Sequence, residues 1–165
     1  MKRGRNWITV ILAVTMICSA SQLTAAETLG QILRDAKWEG ILGTWVDPET
    51  KDVTRFAWKF KDKVIEVRAQ DGSKETVSLV GVNARTGEIF NMGASSDGTS
   101  FLGDWKFQGE DAELGILYTS GDGQDGALSV KYHRVDADTM TVQVFLAGVT
   151  DPVVSSTVKR QKTKK

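Results

Sequence analysis

From Val53 onward, apolar and polar residues alternate with a period of two, and clusters of turn-forming residues interrupt the alternation at regular intervals. Phe56, Trp58 and Phe60 share one face of a run whose other face carries Arg55, Ala57 and Lys59. Phe101, Trp105 and Phe107, with Gly103, repeat this against Asp104 and Lys106. Ala112, Leu114, Ile116 and Tyr118 form a third row, and Met140, Val142, Val144 and Leu146 a fourth. Such a period marks β-strands that bury one side. The turn clusters are Asp47-Pro48, Lys61-Asp62, Asp71-Gly72, Thr86-Gly87, Asp97-Gly98, Gly109-Glu110, Gly121 to Gly126, Asp136 to Asp138 and Asp151-Pro152. They recur every ~10 to 14 residues, the rhythm of a hairpin meander. Nine turns predict ten strands. No gap holds a helical pattern long enough for a parallel crossover, so the pairing must be antiparallel. Ten one-sided strands hide their apolar rows and lose both open edges by closing on themselves. The expected fold is therefore all-β, an antiparallel up-and-down barrel.

Ahead of the strands the period changes. Leu29, Ile32, Leu33 and Ala36 fall at i, i+3, i+4 and i+7, the stripe of a short helix. Thr28 and Gln31 match a capping box at its start. The helix should end between Trp38 and Gly40, and it is too short to stand alone, so it must lie on something apolar. One end of the barrel is the surface available.

After the helix comes Ile41-Leu42-Gly43-Thr44-Trp45-Val46-Asp47. A short N-terminal helix, then Gly43-x-Trp45 on the first strand, then an up-and-down meander, resembles the lipocalin-like (calycin) β-barrels. The pattern is most similar to small, uncharacterised bacterial barrels that begin with a "GTW" strand. The resemblance implies that Gly43 permits close strand approach and that Trp45 plugs the closed end under an arginine from the last strand. Arg160 is the best counterpart and Arg134 the alternative. Fatty-acid-binding barrels place helices between their first two strands, and residues 47–52 leave no room for them. Phe101-Leu102-Gly103-Asp104-Trp105 echoes the first strand without indicating a duplicated domain.

The two ends of the chain add compartment and charge. Lys2, Arg3 and Arg5 precede an uncharged run from Trp7 to Cys18, followed by small and polar residues ending in Ala25-Ala26. That is the layout of a secretory signal peptide, with cleavage after Ala26 and Ala20 as second choice. The apolar run falls short of the ~20 residues a membrane-crossing helix needs. Thr15-Met16-Ile17 is too bulky to make Cys18 a lipidation site. Residues 1–26 therefore read as a signal, residues 27–158 as the barrel, and residues 159–165 as a basic tail. Export to the periplasm or outside follows, without stable membrane insertion. Removing residues 1–26 removes the only cysteine, so the packed core must stabilise the fold without disulfides.

Between Glu27 and Val158 the chain carries 13 basic against 21 acidic residues, a net charge of −8. An acidic body argues against nucleic acid as a partner.

Candidate chemistry is sparse. His133 is the only histidine and shares a face with Ser129 and Lys131, opposite Val130 and Tyr132, as an exposed strand residue would. Some similar bacterial barrels bind haem through a histidine on the last strand; here that strand has none. No nucleophile turn, phosphate loop or metal motif is present, and Gly121 to Gly126 lacks the fixed ligands of a calcium loop. Polar residues do occur on otherwise apolar rows. Arg134 follows Val130 and Tyr132, and Glu66 and Arg68 follow Val64. If these rows face the lumen, Tyr132 and Arg134 would bind a carboxylate; if Arg134 lies at the strand end, it reaches solvent instead. Periodicity leaves both open.

The leading functional expectation is a small apolar ligand in the lumen, bordered by Tyr132, Arg134, Trp58 and Trp105, with no cofactor and no metal. The alternative is a filled barrel acting through its surface on a protein or the cell envelope. A third possibility is an isomerase- or cyclase-type enzyme using a dry lumen. A lumen above ~300 Å³ would favour the carrier.

Overall fold

Leu29–Asp35 (α1) and a 3₁₀ turn at Glu39–Ile41 lead into ten strands in the computed structural model, which describes residues 27–162. The strands are β1 (Gly43–Val46), β2 (Val53–Phe60), β3 (Val64–Asp71), β4 (Lys74–Val82), β5 (Ile89–Ser95), β6 (Ser100–Gln108), β7 (Asp111–Thr119), β8 (Asp125–Arg134), β9 (Thr139–Leu146) and β10 (Val154–Arg160). The segment read as a signal peptide lies outside the described residues. Each strand pairs antiparallel with its sequence neighbours, and β1 also pairs with β10, so the sheet is a closed barrel. The seam is short: Trp45 lies opposite Arg160 and Val46 opposite Lys159. Lys159 and Arg160, expected to open a basic tail, thus belong to the wall. Among the described residues no helix is long and apolar enough to cross a membrane.

Directly paired residues of antiparallel strands point to the same side, so the register traces the lumen from strand to strand. Phe56 opposes Val67, Trp58 opposes Ile65, and Ile65 opposes Val80. Trp105 opposes Leu114, Leu114 opposes Val130, and Tyr132 opposes Val142. These rows meet in one core cluster that includes Trp45, Phe56, Ile65, Val80, Trp105, Leu114 and Met140.

Two rows depart from the simple alternation. A bulge between Trp58 and Phe60 breaks the β2–β3 register, so Phe60 pairs with outward-facing Val64 and is 63% exposed. An extra residue flips every later side chain on its strand. The row of Val64, Glu66 and Arg68 also faces outward, where Glu66 is paired with Lys59 at 3.2 Å and Arg68 at 2.8 Å.

The helix lies over one end of the barrel. Leu29 and Leu33 are buried in the same cluster as Trp45 and Trp105. At Gly30 the backbone N–H donates to the Asp62 carbonyl at 3.1 Å, with no room for a side chain against Asp62. Trp38 is fully buried and its indole N–H donates to the Gly109 carbonyl at 3.0 Å. The segment therefore reaches from the β2–β3 turn to the β6–β7 turn. The expected capping box is half formed: Thr28 Oγ1 accepts from the Gln31 N–H at 3.3 Å, while the Gln31 side chain turns to Asp35.

Candidate functional site in the barrel lumen

An aromatic column occupies the helix-covered half of the lumen. Tyr132 packs on Trp105 with ring centres 5.1 Å apart, and Trp105 stacks on Phe107 at 5.6 Å and an interplanar angle of 6°. Phe107 in turn contacts Trp38 at 5.6 Å. Such pairs contribute ~0.5–1.5 kcal/mol each beyond the area they bury. Trp105, expected to border a ligand, instead sits inside this column and is 5% exposed. Its indole N–H and the Oδ1 of buried Asn91 both lack a hydrogen-bond partner. Trp58 faces inward opposite Ile65 and packs against the core from the neighbouring strand pair.

Above this column a cavity of about 250 Å³ remains. Trp45, Phe56, Tyr132, Met140, Val142 and Val158 form its apolar wall, Thr54 and Ser156 add hydroxyls, and the β1–β2 turn supplies Asp47, Glu49 and Asp52 at its rim. The volume is somewhat below the ~300 Å³ at which drug-sized ligand sites begin, so it suits a smaller molecule. Burial pushes the Tyr132 phenol far above its ordinary pKa, keeping it neutral, and no group among the described residues hydrogen-bonds its hydroxyl. The Asp47 carboxylate accepts the backbone N–H groups of Glu49 at 2.7 Å and Thr50 at 3.2 Å, which hold it below the usual range and fold the turn.

The charge of this rim is one-sided. In an up-and-down barrel alternate turns share an end, and here that end gathers Asp47, Glu49, Asp52, Asp71, Asp97, Asp122 and Asp151 against Lys51 and Lys74. Neighbouring turns are tied together, as where Gly72 N–H donates to Asp52 at 3.3 Å. A negative rim repels an approaching carboxylate and attracts a cation.

Arg134 does not reach the lumen cavity. It lies at the strand end, donates to Glu110 at 2.6 Å and to the Lys37 carbonyl, and rests 5.5 Å from the centre of the Trp38 ring. Of the two placements the sequence allowed, this is the strand-end one, and it leaves Tyr132 without a basic companion. Arg160 sits beside it at the same end, 4.3 Å over the Trp45 ring. Its guanidinium donates to the carbonyls of Leu42 at 2.7 Å, Gly40 and Ala137, and pairs with Asp138 at 3.2 Å. Gly43 adopts φ +131°, and a Cβ there would lie 2.6 Å from Arg160 Nη1. A second cavity of about 540 Å³ opens between these two arginine–tryptophan stacks and the β8–β9 turn.

His133 faces outward, hydrogen-bonded to Asp111 at 2.8 Å, its direct cross-strand partner. Among the described residues no group of three or more His, Cys, Asp or Glu is arranged to hold a metal ion.

A further concavity, about 870 Å³, lies outside the barrel on the wall of β4–β8. Leu79, Met92, Leu102 and Leu117 stand there on the outward face, one to a strand.

These features define a closed, ten-stranded antiparallel barrel with a partly filled lumen. No protein-family model and no curated protein sequence matches the chain. Its architecture is similar to the crystal structure of Rv2717c from M. tuberculosis, with a TM-score of 0.50 and 19% sequence identity over 79% of this chain and 97% of that one. At that identity the likeness is one of fold.

Proposed function

We propose that the protein is an exported carrier that holds a small, apolar molecule, neutral or cationic, in the lumen beneath the β1–β2 turn. The observation that carries this reading is the cavity of about 250 Å³ with an apolar wall and one unpartnered phenol, Tyr132. Burying an apolar ligand there gains ~25 cal/mol per Å² removed from water. The Tyr132 hydroxyl supplies one directional hydrogen bond, and the acidic rim sets the sign of charge admitted. Export is supported by the order of basic, apolar and small residues in residues 1–26.

The test is a fluorescence titration of the wild-type protein with 1-naphthol, 1-naphthoate and 1-naphthylmethylammonium at low and high salt. Trp45 in the cavity wall is the reporter. Neutral and cationic probes are expected to bind, naphthoate at least roughly tenfold more weakly, and the difference should shrink with salt. Val142→Trp, which fills the cavity, should abolish binding of all three. Equal binding by wild type and Val142→Trp would remove the lumen as the site, and a preference for naphthoate would remove the role of the rim.

A second reading, a module acting through its surface, is favoured by the apolar residues on the outer wall.

A further inference from the structure

The mouth of the lumen cavity holds a buried charge that the barrel leaves without a counter-ion. Asp47 continues the inward row of Trp45 two residues further on, and it is only 7% exposed where it borders the cavity. Its Oδ1 accepts the N–H groups of Glu49 and Thr50. The other oxygen, Oδ2, takes part in neither of these bonds, and the Ser156 hydroxyl stands beside the carboxylate. Among the described residues no lysine, arginine or histidine borders this cavity. Lys51, on the same turn, donates to the Pro48 carbonyl. Arg160 borders the other cavity and is paired there with Asp138.

Buried carboxylates in proteins are ordinarily paired with a cation. Asp47 is not neutralised by a proton either: the N–H groups of Glu49 and Thr50 hold its carboxyl below the usual range in spite of burial, so it is ionised at neutral pH. The rest of the wall decides what kind of cation fits. Trp45, Phe56 and Tyr132 border the same space, and such a wall offers a metal ion no oxygen ligands. Aromatic rings attract an organic cation, and they bury its apolar body.

We propose that the lumen binds a small primary amine in its protonated form, with the ammonium group on Asp47 Oδ2 at the mouth and the apolar body against Phe56 and Tyr132. This rests on the carrier reading of the cavity and narrows it from neutral or cationic molecules to one class. A primary ammonium group carries three N–H donors. Asp47 Oδ2 and the hydroxyls of Ser156 and Thr54 border the cavity as acceptors for them. At ~30 Å³ for each water, the space holds about eight waters, room for an amine of roughly eight to ten non-hydrogen atoms.

Calorimetric titration of the wild-type protein with 2-phenylethylammonium and with 2-phenylethanol isolates the charge, because the two probes differ only in the group that would meet Asp47. The amine is expected to bind at least roughly tenfold more tightly, the usual gain for a hydrogen bond between charged groups. Asp47→Asn keeps an Oδ1 for the two N–H groups of the turn and removes the charge. It should cancel the advantage of the amine while the alcohol binds as before. Glu49→Gln, at an exposed rim position, should change that advantage by less than about threefold. If the Asn variant fails to fold, the wild type still decides. A direct contact keeps most of its advantage at 1 M salt, where charges are screened beyond ~3 Å, whereas attraction by the rim as a whole is lost. Equal binding of amine and alcohol by the wild type would overturn the assignment to Asp47 and leave the carrier reading intact. So would an advantage that survives Asp47→Asn or disappears at 1 M salt. Binding of neither probe also overturns it, and if the naphthyl compounds fail as well, the carrier reading falls with it.

Discussion

Replacing Arg160 tests the closed end of the barrel independently of any ligand. The guanidinium does two things that can be separated by magnitude. It stacks 4.3 Å over the Trp45 ring, which is worth about 1 kcal/mol in a partly dry site. It also satisfies carbonyl oxygens, of which Leu42 O, bonded at 2.7 Å, is the part-buried one. Leaving such an acceptor unpaired costs about 1–3 kcal/mol, whereas Gly40 O and Ala137 O lie in exposed bonds and regain water. The ion pair to Asp138 adds little, since the Asp138 side chain is 46% exposed. Arg160→Ala should therefore destabilise by about 3 kcal/mol, a fall in Tm of about 10 °C for a domain of this size. Arg160→Lys keeps the charge but cannot reach the separate carbonyls as a planar fork, so it should recover less than half of the loss. Urea unfolding of wild type, both variants, Trp45→Leu and the double variant gives the coupling directly, and about 1 kcal/mol between residues 45 and 160 is expected. A loss below about 1 kcal/mol for Arg160→Ala, or full rescue by lysine, would refute the assignment of the stabilisation to stacking and carbonyl satisfaction.

Gly43→Ala should cost about 2–3 kcal/mol in urea unfolding, through a strained left-handed backbone and a Cβ pressed on Arg160 Nη1, and the penalty should shrink in the Arg160→Ala background. Trp105→Phe, which removes an indole N–H that has no partner, should cost less than about 1.5 kcal/mol by the same assay, well under the loss usual for a truncated buried tryptophan. The Lys74 ion pair, with the Thr99 N–H, draws Asp97 down to about 2, so its contribution to stability is present above pH ~4 and is lost as pH falls toward 2. An NMR titration should find the Asp97 midpoint near 2. Lys74→Gln should move it back toward ~3.9, and a wild-type midpoint already there would contradict the pairing.

Much of the architecture lay in the chain itself. Alternation within each run and turn residues between runs specify ten strands, and the absence of crossover helices specifies antiparallel neighbours, because both are local consequences of backbone geometry. The same local rules place the helix at Thr28 and the one-sidedness of each strand. Which side faces the lumen, and how strands line up, depends on partners distant in sequence. The bulge after Trp58 turns Phe60 outward although its spacing matches Phe56. Arg134 continues the inward row of Tyr132, yet at the strand end Glu110, the Lys37 carbonyl and the Trp38 ring hold it away from the lumen cavity. Leu79, Met92, Leu102 and Leu117 are unremarkable apolar residues in their separate strands, and only the register of β4 to β7 assembles them into one row. A side chain's neighbour along the strand is fixed by the covalent chain, but its neighbour across the sheet is chosen by long-range pairing, and the lumen cavity and the outer row are both built from neighbours of the second kind.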